Sequence, residues 1–365
     1  LNIIYFKRLF NQIFMKLLLN ILFYSVLLSF ISCSKGPATS PSLKTANLYS
    51  IGFYNLENLF DTYNDTLIND EEFLPQGTKQ WTNEKYQDKL GRLSTVISDL
   101  ASQSISGGID VLGVSEIENK KVLEDLINTD RLKNKHLKII HYNSPDTRGV
   151  DVGLIYNSDV FSPLATASYP LYIFSDDNKR IYTRDVLLVK GILGSETIYV
   201  TVNHWPSRRG GEEASRQRRN SAARLNRTII DSIFIKDPNA KIFVMGDLND
   251  NPNNESVKSV LSSKNDLKGL SNSDLYNPFY KNFLEGNGTL AHNDSWSLFD
   301  QIIVSKAVMQ EKSKNLRYSS HVIYKKDFMM EKFGHYKNYP KRTFSGDQYN
   351  YGYSDHFPVF IYLEK

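Results

Sequence analysis

The chain is poor in cysteine and has almost no net charge. Cys33 is the single cysteine among 365 residues, which excludes an intramolecular disulfide framework and a zinc site built from several cysteines. Lys and Arg total 44 against 40 Asp and Glu, a net charge of +4, which is too small to indicate a nucleic-acid-binding protein by itself. With 41% hydrophobic and 23% charged residues, the composition excludes a disordered or collagen-like chain.

One long apolar run stands near the N-terminus. Residues 17–31 read LLLNILFYSVLLSFI behind a basic flank, a pattern typical of a secretory signal and short for a membrane-spanning helix. We expect a signal peptide over residues 1–32, with Met15 as its natural start and residues 1–14 as an over-extended reading frame. The flank consists of Lys7, Arg8 and Lys16.

The apolar run ends on the sole cysteine. Phe30-Ile31-Ser32-Cys33 resembles a bacterial lipobox, in which the chain is cleaved before the cysteine and lipid is attached to it. Residues 33–47 have the composition of a flexible tether. We therefore expect an exported protein that lipid on Cys33 anchors to a bacterial membrane, at the periplasmic or surface face of the outer membrane. The alternative is an uncleaved anchor helix with an incidental cysteine.

The remainder, residues 48–365, alternates short apolar runs with helical patterns and shows no second linker, which predicts one domain. Apolar residues recur at helical spacing from Tyr86 to Leu100 and from Ala222 to Ile233. Many strands and few helices favour two mixed sheets packed face to face, with helices outside. The predicted strands are Leu48–Tyr54, Val111–Ser115, Leu137–His141, Val152–Tyr156, Val186–Gly191, Ile198–Asn203, Ile242–Gly246, Gln301–Ser305 and Phe357–Leu363.

Polar side chains stand at the ends of several of these strands. Ligands favour the rim where strand ends meet, so we expect these side chains to converge on one site. Converging carboxylates repel one another and raise each other's pKa unless a cation neutralises them. Carboxylate and amide oxygens without a cysteine cluster favour Mg²⁺, with Mn²⁺ as a substitute, over Zn²⁺. The residues concerned are Asn55, Glu57, Glu116, His204, Asp247, Asn249, Asp300, Asp355 and His356.

Six short motifs in this region resemble those of the endonuclease/exonuclease/phosphatase superfamily, which includes DNase I-like nucleases and sphingomyelinases. Each motif is common alone, but six in this order over almost the whole folded part are specific. The resemblance implies a four-layer α/β/β/α sandwich. The motifs are Phe53-Tyr54-Asn55-Leu56-Glu57-Asn58, Ser115-Glu116-Ile117-Glu118-Asn119, Asn203-His204-Trp205, Gly246-Asp247-Leu248-Asn249, Leu298-Phe299-Asp300-Gln301-Ile302 and Ser354-Asp355-His356-Phe357-Pro358.

The resemblance also implies metal ligands. Glu116 resembles the principal ligand, Asn55 and Glu57 lie near it, and Asp355 completes or supports the site.

Five further residues resemble the family's catalytic groups. Asp247 and Asn249 resemble the pair that orients the attacking water and binds the phosphate. His356, held by Asp300, resembles the catalytic imidazole, and His204 resembles the second imidazole. Either Asp247 or His356 acts as the general base.

Several arginines are candidate phosphate contacts. Arg184 resembles the family's phosphate-contacting arginine. The tyrosine that some members place near the phosphate has no clear match, so Arg148 or Asp151 takes over part of its role.

The segment from Arg208 to Arg227 holds seven Arg and two Glu, a local charge of +5. We expect Arg208 and Arg209 to contact the phosphate, because they follow His204 closely and the adjacent glycines allow the loop to adapt. The alternative is a solvated helix face whose arginines pair with neighbouring acids. A second unusual stretch, Lys312–Tyr353, is rich in Tyr and Lys, and forms either a recognition loop or a surface hairpin.

Together these features predict a secreted Mg²⁺-dependent phosphodiesterase, in first place a nuclease acting on DNA or RNA. One alternative is a phosphodiesterase or phosphatase for lipids or small molecules, similar to sphingomyelinase. The other is a non-catalytic binding lipoprotein. We expect a monomer with no protein partner.

Overall fold

A computed structural model of the protein describes residues 47–175, 177–310 and 315–365. The predicted signal peptide, Cys33 and all but the last residue of the predicted tether lie outside these ranges. The described residues belong to one compact unit. Within them, no helix has both the length and the apolar character needed to span a membrane.

The first large sheet has six strands in the order β16-β19-β1-β2-β4-β3. Strands β1 and β2 run parallel, and the other neighbours are antiparallel. Its strands are β1 (Leu48–Leu59), β2 (Val111–Ile117), β3 (Leu137–His141), β4 (Asp151–Asn157), β16 (Arg317–Ile323) and β19 (Val359–Glu364).

The second large sheet has seven strands in the order β11-β12-β15-β10-β9-β8-β5. Strands β9 and β10 run parallel, while β10 and β15 are antiparallel. Its strands are β5 (Phe161–Tyr169), β8 (Val186–Leu193), β9 (Glu196–His204), β10 (Lys241–Asp247), β11 (Ser263–Lys264), β12 (Leu275–Tyr276) and β15 (Asp300–Ser305). The remaining strands form three two-stranded hairpins: β6 (Ile173–Phe174) with β7 (Arg180–Ile181), β13 (Leu290–His292) with β14 (Ser295–Ser297), and β17 (Phe344–Ser345) with β18 (Gln348–Tyr349).

The two large sheets pack face to face, and helices cover their outer faces. Buried residues of both sheets, among them Phe53 and Phe243, share one hydrophobic core. The first sheet packs on the other side against two helices, and the second against the longest helix. This confirms the predicted four-layer α/β/β/α sandwich of two mixed sheets. The helices are α1 (Asn83–Asp99), α2 (Lys120–Ile127), α3 (Glu212–Lys236) and the short α4 (Tyr280–Leu284).

All nine predicted strands are present, with ends shifted by a few residues at most except at β1, which continues to Leu59. Two longer strands, β5 and β16, were not predicted, and each lies at an edge of its sheet. Both are partly exposed, and β5 contains Pro163, which is tolerated on a sheet edge. Edge strands bury little surface, so their sequences carry little apolar periodicity.

Candidate active site

Strand register brings the predicted residues of the second sheet into one row. Asp247, the last residue of β10, pairs with His204 on β9 and with Asp300 on β15. The preceding residue, Gly246, pairs with Asn203, and a Cβ on Gly246 would lie 2.3 Å from the Asn203 carbonyl oxygen. Glycine before Asp247 is therefore required by the close approach of the two parallel strands.

Irregular backbone turns the first-sheet residues toward the same point. Glu57 and Glu116 adopt positive φ angles of 50° and 57°, and Asn249, which follows β10 of the second sheet, adopts one of 49°. This conformation costs energy for residues other than glycine. The pairing register shifts at β1 after Asn55 and at β2 beside Glu116, as in a β-bulge that redirects a side chain. The Asn58 backbone N–H then donates to Glu116 Oε2 at 3.0 Å.

Asp247 is the centre of the site. Its Oδ2 accepts a hydrogen bond from Asn55 Nδ2 at 3.1 Å and lies 3.7 Å from His204 Nε2 and 3.8 Å from His356 Nε2. Its Oδ1 accepts from the Asn249 backbone N–H at 3.0 Å. One carboxylate thus faces both imidazoles, as the predicted convergence requires.

His356 forms a buried pair with Asp300. Its Nδ1 lies 2.7 Å from Asp300 Oδ2, and Asp300 is fully buried. The Ser354 hydroxyl accepts from the His356 backbone N–H and donates to the Asn55 carbonyl. The segment carrying His356 is therefore fastened to the end of β1, which fixes the imidazole against Asp247.

The two imidazoles have opposite protonation tendencies. Burial lowers the pKa of His356, but the carboxylates of Asp300 and Asp247 outweigh burial and hold that pKa well above its ordinary value. Burial, together with the positive charges of Arg184 and Arg148, holds the pKa of His204 well below its ordinary value. At neutral pH, His356 is a cation and His204 is neutral. Titratable groups separated in this way mark acid and base roles.

Asp247 itself titrates near neutrality. Burial and the nearby Asp300 carboxylate raise the pKa of Asp247 to about 7, although the positive charge on His356 opposes this rise. A carboxyl group with a pKa close to the working pH is well suited to accept a proton from water.

The oxygen donors suited to a hard cation are on the first-sheet side. Glu116 keeps 14% of its side chain exposed, and its Oε1 lies 3.7 Å from His204 Nε2. Asp247, Asp300 and His356 also present atoms within 4.8 Å of one another. In that group His356 Nδ1 is already bonded to Asp300 Oδ2 at 2.7 Å. The oxygen atoms of Glu116, Asn55 and Asp355 stay the predicted ligands of a divalent cation, with Asn55 Oδ1 also accepting from the Glu57 backbone N–H at 2.9 Å.

Two of the predicted metal ligands have other partners. Glu57 Oε2 accepts from the backbone N–H and the hydroxyl of Thr343, both at 2.7 Å, and lies 3.8 Å from Lys89 Nζ. Asp355 Oδ2 accepts from Arg342 Nη2 at 2.9 Å. Glu57 is therefore corrected from a metal ligand to a residue that joins the 343 loop to helix α1.

Lys89 is a site residue that the sequence analysis missed. Its side chain is fully buried on α1, and Nζ donates to the Tyr353 carbonyl at 2.8 Å and to the Thr343 hydroxyl. The signal was available, because Lys89 lies three residues after Tyr86 on the apolar face of the helix. A lysine on a buried stripe requires an anionic partner, and here that partner is Glu57.

Arg184 lies beneath the site. Its guanidinium donates to the carbonyls of His204 and Trp205 and, at 2.9 Å, to Asp146 Oδ2. Only 6% of the residue is exposed. The predicted phosphate contact is therefore corrected, and Arg184 instead positions the chain around His204.

The side chain of Arg208 is also hydrogen-bonded to other residues of the protein. Its Nε donates to the Asn249 carbonyl, and its other nitrogens bond Glu212, Asp250 and Asn254. It therefore holds the loop that carries Asn249, in place of the predicted phosphate contact. Arg209 is exposed and has no hydrogen bond or ion pair within the described part of the chain, so its contact with substrate stays a prediction.

Arg148 is the better candidate of the two residues left open for the role of the missing tyrosine. Asp151 is buried, with Oδ2 2.8 Å from His141 Nε2 and Oδ1 accepting from the Ser144 backbone N–H. Arg148 keeps 46% of its side chain exposed and lies close enough to His204 to depress that pKa. Contact between Arg148, which also lies 3.6 Å from Asp146 Oδ1, and a phosphate beside His204 stays a prediction.

Buried carboxyl groups also set the pH dependence of stability. Burial raises the pKa of six carboxyl groups among the described residues, and four of these values lie between about 6 and 8, while Asp151 and Asp185 are the other two groups. Between pH 6 and 8 the folded protein therefore binds more protons than the unfolded chain, and stability falls as pH rises. His356 acts in the same direction, and His204 opposes it as pH falls through about 6.5. Without metal, we expect a higher urea midpoint at pH 6 than at pH 8; a midpoint that rises with pH contradicts this. The four groups are Asp110 at about 6, Glu57 and Asp247 at about 7 and Glu118 at about 8.

Two mixed sheets pack face to face, and Asp, His and Glu side chains meet at one rim of them. This is the architecture of a DNase I-like phosphoester hydrolase. The chain belongs to the endonuclease/exonuclease/phosphatase family, whose model matches residues 50–365. Members of this family hydrolyse phosphoester bonds and use divalent metals. No curated protein sequence matches the chain at a significant level.

Solved structures share the fold at low sequence identity. A humanized Danio rerio TDP2 is 13% identical, covers 87% of this chain and 99% of its own, and has a TM-score of 0.53. D. rerio TDP2 with a single-strand DNA product is 13% identical, with coverages of 87% and 100% and a TM-score of 0.52. A mannosyl-6-phosphatase of Bacteroides thetaiotaomicron is 17% identical, with coverages of 86% and 99% and a TM-score of 0.50.

Proposed function

We propose that the protein is a Mg²⁺-dependent hydrolase that uses Asp247 as general base on a phosphoester of a small organic molecule. The observation that carries the proposal is the position of Asp247 between a neutral His204 and a cationic His356. Three titratable groups with separated pKa values within hydrogen-bonding reach of one phosphate are suited to proton transfer and charge stabilisation.

Each residue has a distinct task in the proposed mechanism. Asp247 accepts a proton from the attacking water, and the Asn249 backbone N–H orients its carboxylate. His356 donates its Nε2 proton toward a phosphate oxygen, while Asp300 stabilises the imidazolium. His204, held neutral, donates a hydrogen bond without adding a charge that would weaken the basicity of Asp247.

Glu116, assisted by Asn55 and Asp355, would hold the cation. The oxygen-rich donor set suits Mg²⁺, with Mn²⁺ as a substitute. When bound, the ion supplies neutralisation of negative charge on the phosphate. Calorimetric titration of Mg²⁺ should show one site in the wild type and at least tenfold weaker binding in Glu116→Gln. Equal affinity in the two proteins places the ion elsewhere.

The ion pairs of the segment from Arg208 to Arg227 favour a small substrate over a long strand. Within the described residues, Arg208 and Arg219 pair with Asp250, and Arg216 and Arg227 pair with neighbours on the helix. Four of the seven arginines are thus paired inside the protein, and the local charge of +5 falls to +3 when Asp231 and Asp250 are counted with the segment. Binding of a nucleic-acid strand depends on many unpaired Lys and Arg side chains, whereas binding of a single reacting phosphate needs few.

A nucleic acid is the second candidate substrate. The observations in its favour are the exposed cations Arg148 and Arg209, the second of which follows Arg208 in the chain, and the DNA product bound by the similar TDP2 structure. The ranking of the two candidate substrates is tested by measuring hydrolysis of a substrate panel with Mg²⁺ or with EDTA. The panel contains sugar phosphates, p-nitrophenyl phosphate, single-strand DNA, RNA and sphingomyelin. Faster cleavage of DNA or RNA than of every small ester would establish a nuclease, and no cleavage of any substrate leaves a binding protein.

Arg148 supplies a prediction about substrate binding. Arg148→Met should raise KM about tenfold and change kcat little, because one charged hydrogen bond to phosphate is lost. Arg131→Met, an exposed arginine outside the site, is the matched control. Steady-state kinetics that show a fall in kcat at constant KM would place Arg148 in the transition state instead.

We also propose that the protein is exported and lipid-anchored through Cys33, on the strength of the signal-like run and lipobox in its sequence. Expression of the full chain in a bacterium with labelled palmitate should give a labelled membrane protein. Cys33→Ala should remove the label; an unlabelled wild type would favour an anchor helix.

A further inference from the structure

A cavity of about 310 Å³ lies beside the catalytic centre. It is enclosed by the β13–β14 hairpin and by the segment between β16 and β19. Asp355 belongs to its wall, and Asp355 Oδ1 lies 4.0 Å from His356 Nε2. A group bound in this cavity is therefore next to the place where His356 and Asp247 hold the reacting phosphate.

Two tyrosine rings form an aromatic part of the wall. Tyr339 is fixed, because its hydroxyl accepts from the Asp294 backbone N–H at 2.8 Å and donates to Asp294 Oδ1 at 2.9 Å. Its ring also packs against Trp296 with centroids 5.8 Å apart. Tyr336 stands 5.6 Å from Tyr339 and is 59% exposed. These rings offer a rigid apolar face to a ligand ring.

The polar part of the wall carries more acid than base. Asn350 Nδ2 donates to Glu331 Oε1 at 2.7 Å, and Arg342 pairs with Asp355. Arg342 and Asp355 neutralise each other, and Asp355 also assists the cation, so Glu331 is the lining carboxylate that is left for a ligand. A second phosphate is disfavoured beside Glu331, whereas hydroxyl groups can donate to its carboxylate and accept from the Asn350 amide.

We propose that this cavity binds a neutral sugar ring that carries the reacting phosphate. The volume is at the lower end of the range for small-molecule sites and suits one ring system. The proposal rests on the proposed function. The oxygen of water bonds to phosphorus, the bond from phosphorus to the sugar oxygen breaks, and that oxygen takes one proton of the water. The products are a free sugar and inorganic phosphate.

Kinetics on matched substrates test this assignment. Wild type, Glu331→Gln and Tyr336→Ala are compared on hexose phosphates and on p-nitrophenyl phosphate, which lacks a sugar. Each variant should raise KM about tenfold for the hexose phosphate that wild type prefers, and Glu331→Gln, which removes only a partner for hydroxyl groups, should change the p-nitrophenyl phosphate reaction less than twofold. Phe333→Ala, which is 85% exposed on the same segment and outside the cavity wall, should leave both reactions unchanged.

Equal losses of Glu331→Gln on both substrates, or no change in KM for any hexose phosphate in either variant, overturn the proposal. A selective loss with thymidine monophosphate also overturns it, because the ring recognised is then a nucleobase. Saturation-transfer NMR of free hexoses with metal-free protein separates the two proposals. Loss of the wild-type signal in Tyr336→Ala supports the sugar site even if no phosphoester is hydrolysed, an outcome that defeats only the proposed function.

Discussion

His356→Ala should lower kcat by about 10²- to 10⁴-fold, the range for removal of a general acid–base group. The imidazolium of His356 lies 3.8 Å from Asp247 and is held by Asp300 at 2.7 Å, so the variant loses the cation beside the phosphate. It also leaves Asp300 buried without its partner. Single-turnover kinetics with Mg²⁺ measure the effect on the chemical step.

The surface of the protein offers a matched control for this variant. His136 forms an equivalent pair with Asp159 at 2.6 Å, but both side chains are 64% exposed. His136→Ala should leave kcat unchanged. A His356→Ala enzyme with more than one tenth of wild-type kcat would contradict the assigned role of this imidazole.

Lys89→Met should lower the free energy of unfolding by about 3–5 kcal/mol, the usual cost of leaving one member of a buried ion pair unpaired. Lys89 is fully buried, and it compensates Glu57 at 3.8 Å. Burial and the charge of Asp355 already raise the pKa of Glu57 to about 7. Without Lys89 the carboxyl takes up a proton more readily, so the loss should be largest above pH 7. Urea unfolding at pH 8 measures it.

An exposed ion pair and a double variant complete this test. Lys121→Met, which breaks the exposed pair with Asp125 on α2, should cost less than about 1 kcal/mol. Lys89→Met combined with Glu57→Gln should recover part of the lost stability, because no charge is left unpaired. Equal losses of unfolding free energy for Lys89→Met and Lys121→Met would show that the buried ion pair contributes no more to stability than the exposed one.

The architecture was largely predictable because most of its central strands are buried. Runs such as Ile242–Gly246 have no polar interruption, and turn residues mark their ends. The edge strands β5 and β16 were missed because half-exposed strands show mixed sequences. The β13–β14 hairpin beside the cavity was also missed, because its sequence is polar and the packing of Trp296 against Tyr339 holds it in place. A surface hairpin was one of the two alternatives for Lys312–Tyr353, and β17–β18 is such a hairpin.

The site was predictable in its members but only partly in their roles. Strand ends and motif order correctly brought Asn55, Glu116 and His204 around Asp247. The predicted contact of Arg184 with the phosphate was wrong, because a sequence shows that a charge is present but not which partner it pairs with. The sequence left Asp247 and His356 open as the base, and the proposal of Asp247 rests on the charges that surround each group in the fold.

The most direct test of the account is the pH profile of kcat/KM for wild type and Asp247→Asn in saturating Mg²⁺. With Asp247 as base, the wild-type value should rise about tenfold per pH unit below an inflection at or below pH 7, because only the ionised carboxylate accepts the proton. Asp247→Asn should be at least 10²-fold slower and lack this rise. An Asp247→Asn enzyme that keeps the wild-type rate and inflection would contradict the central claim.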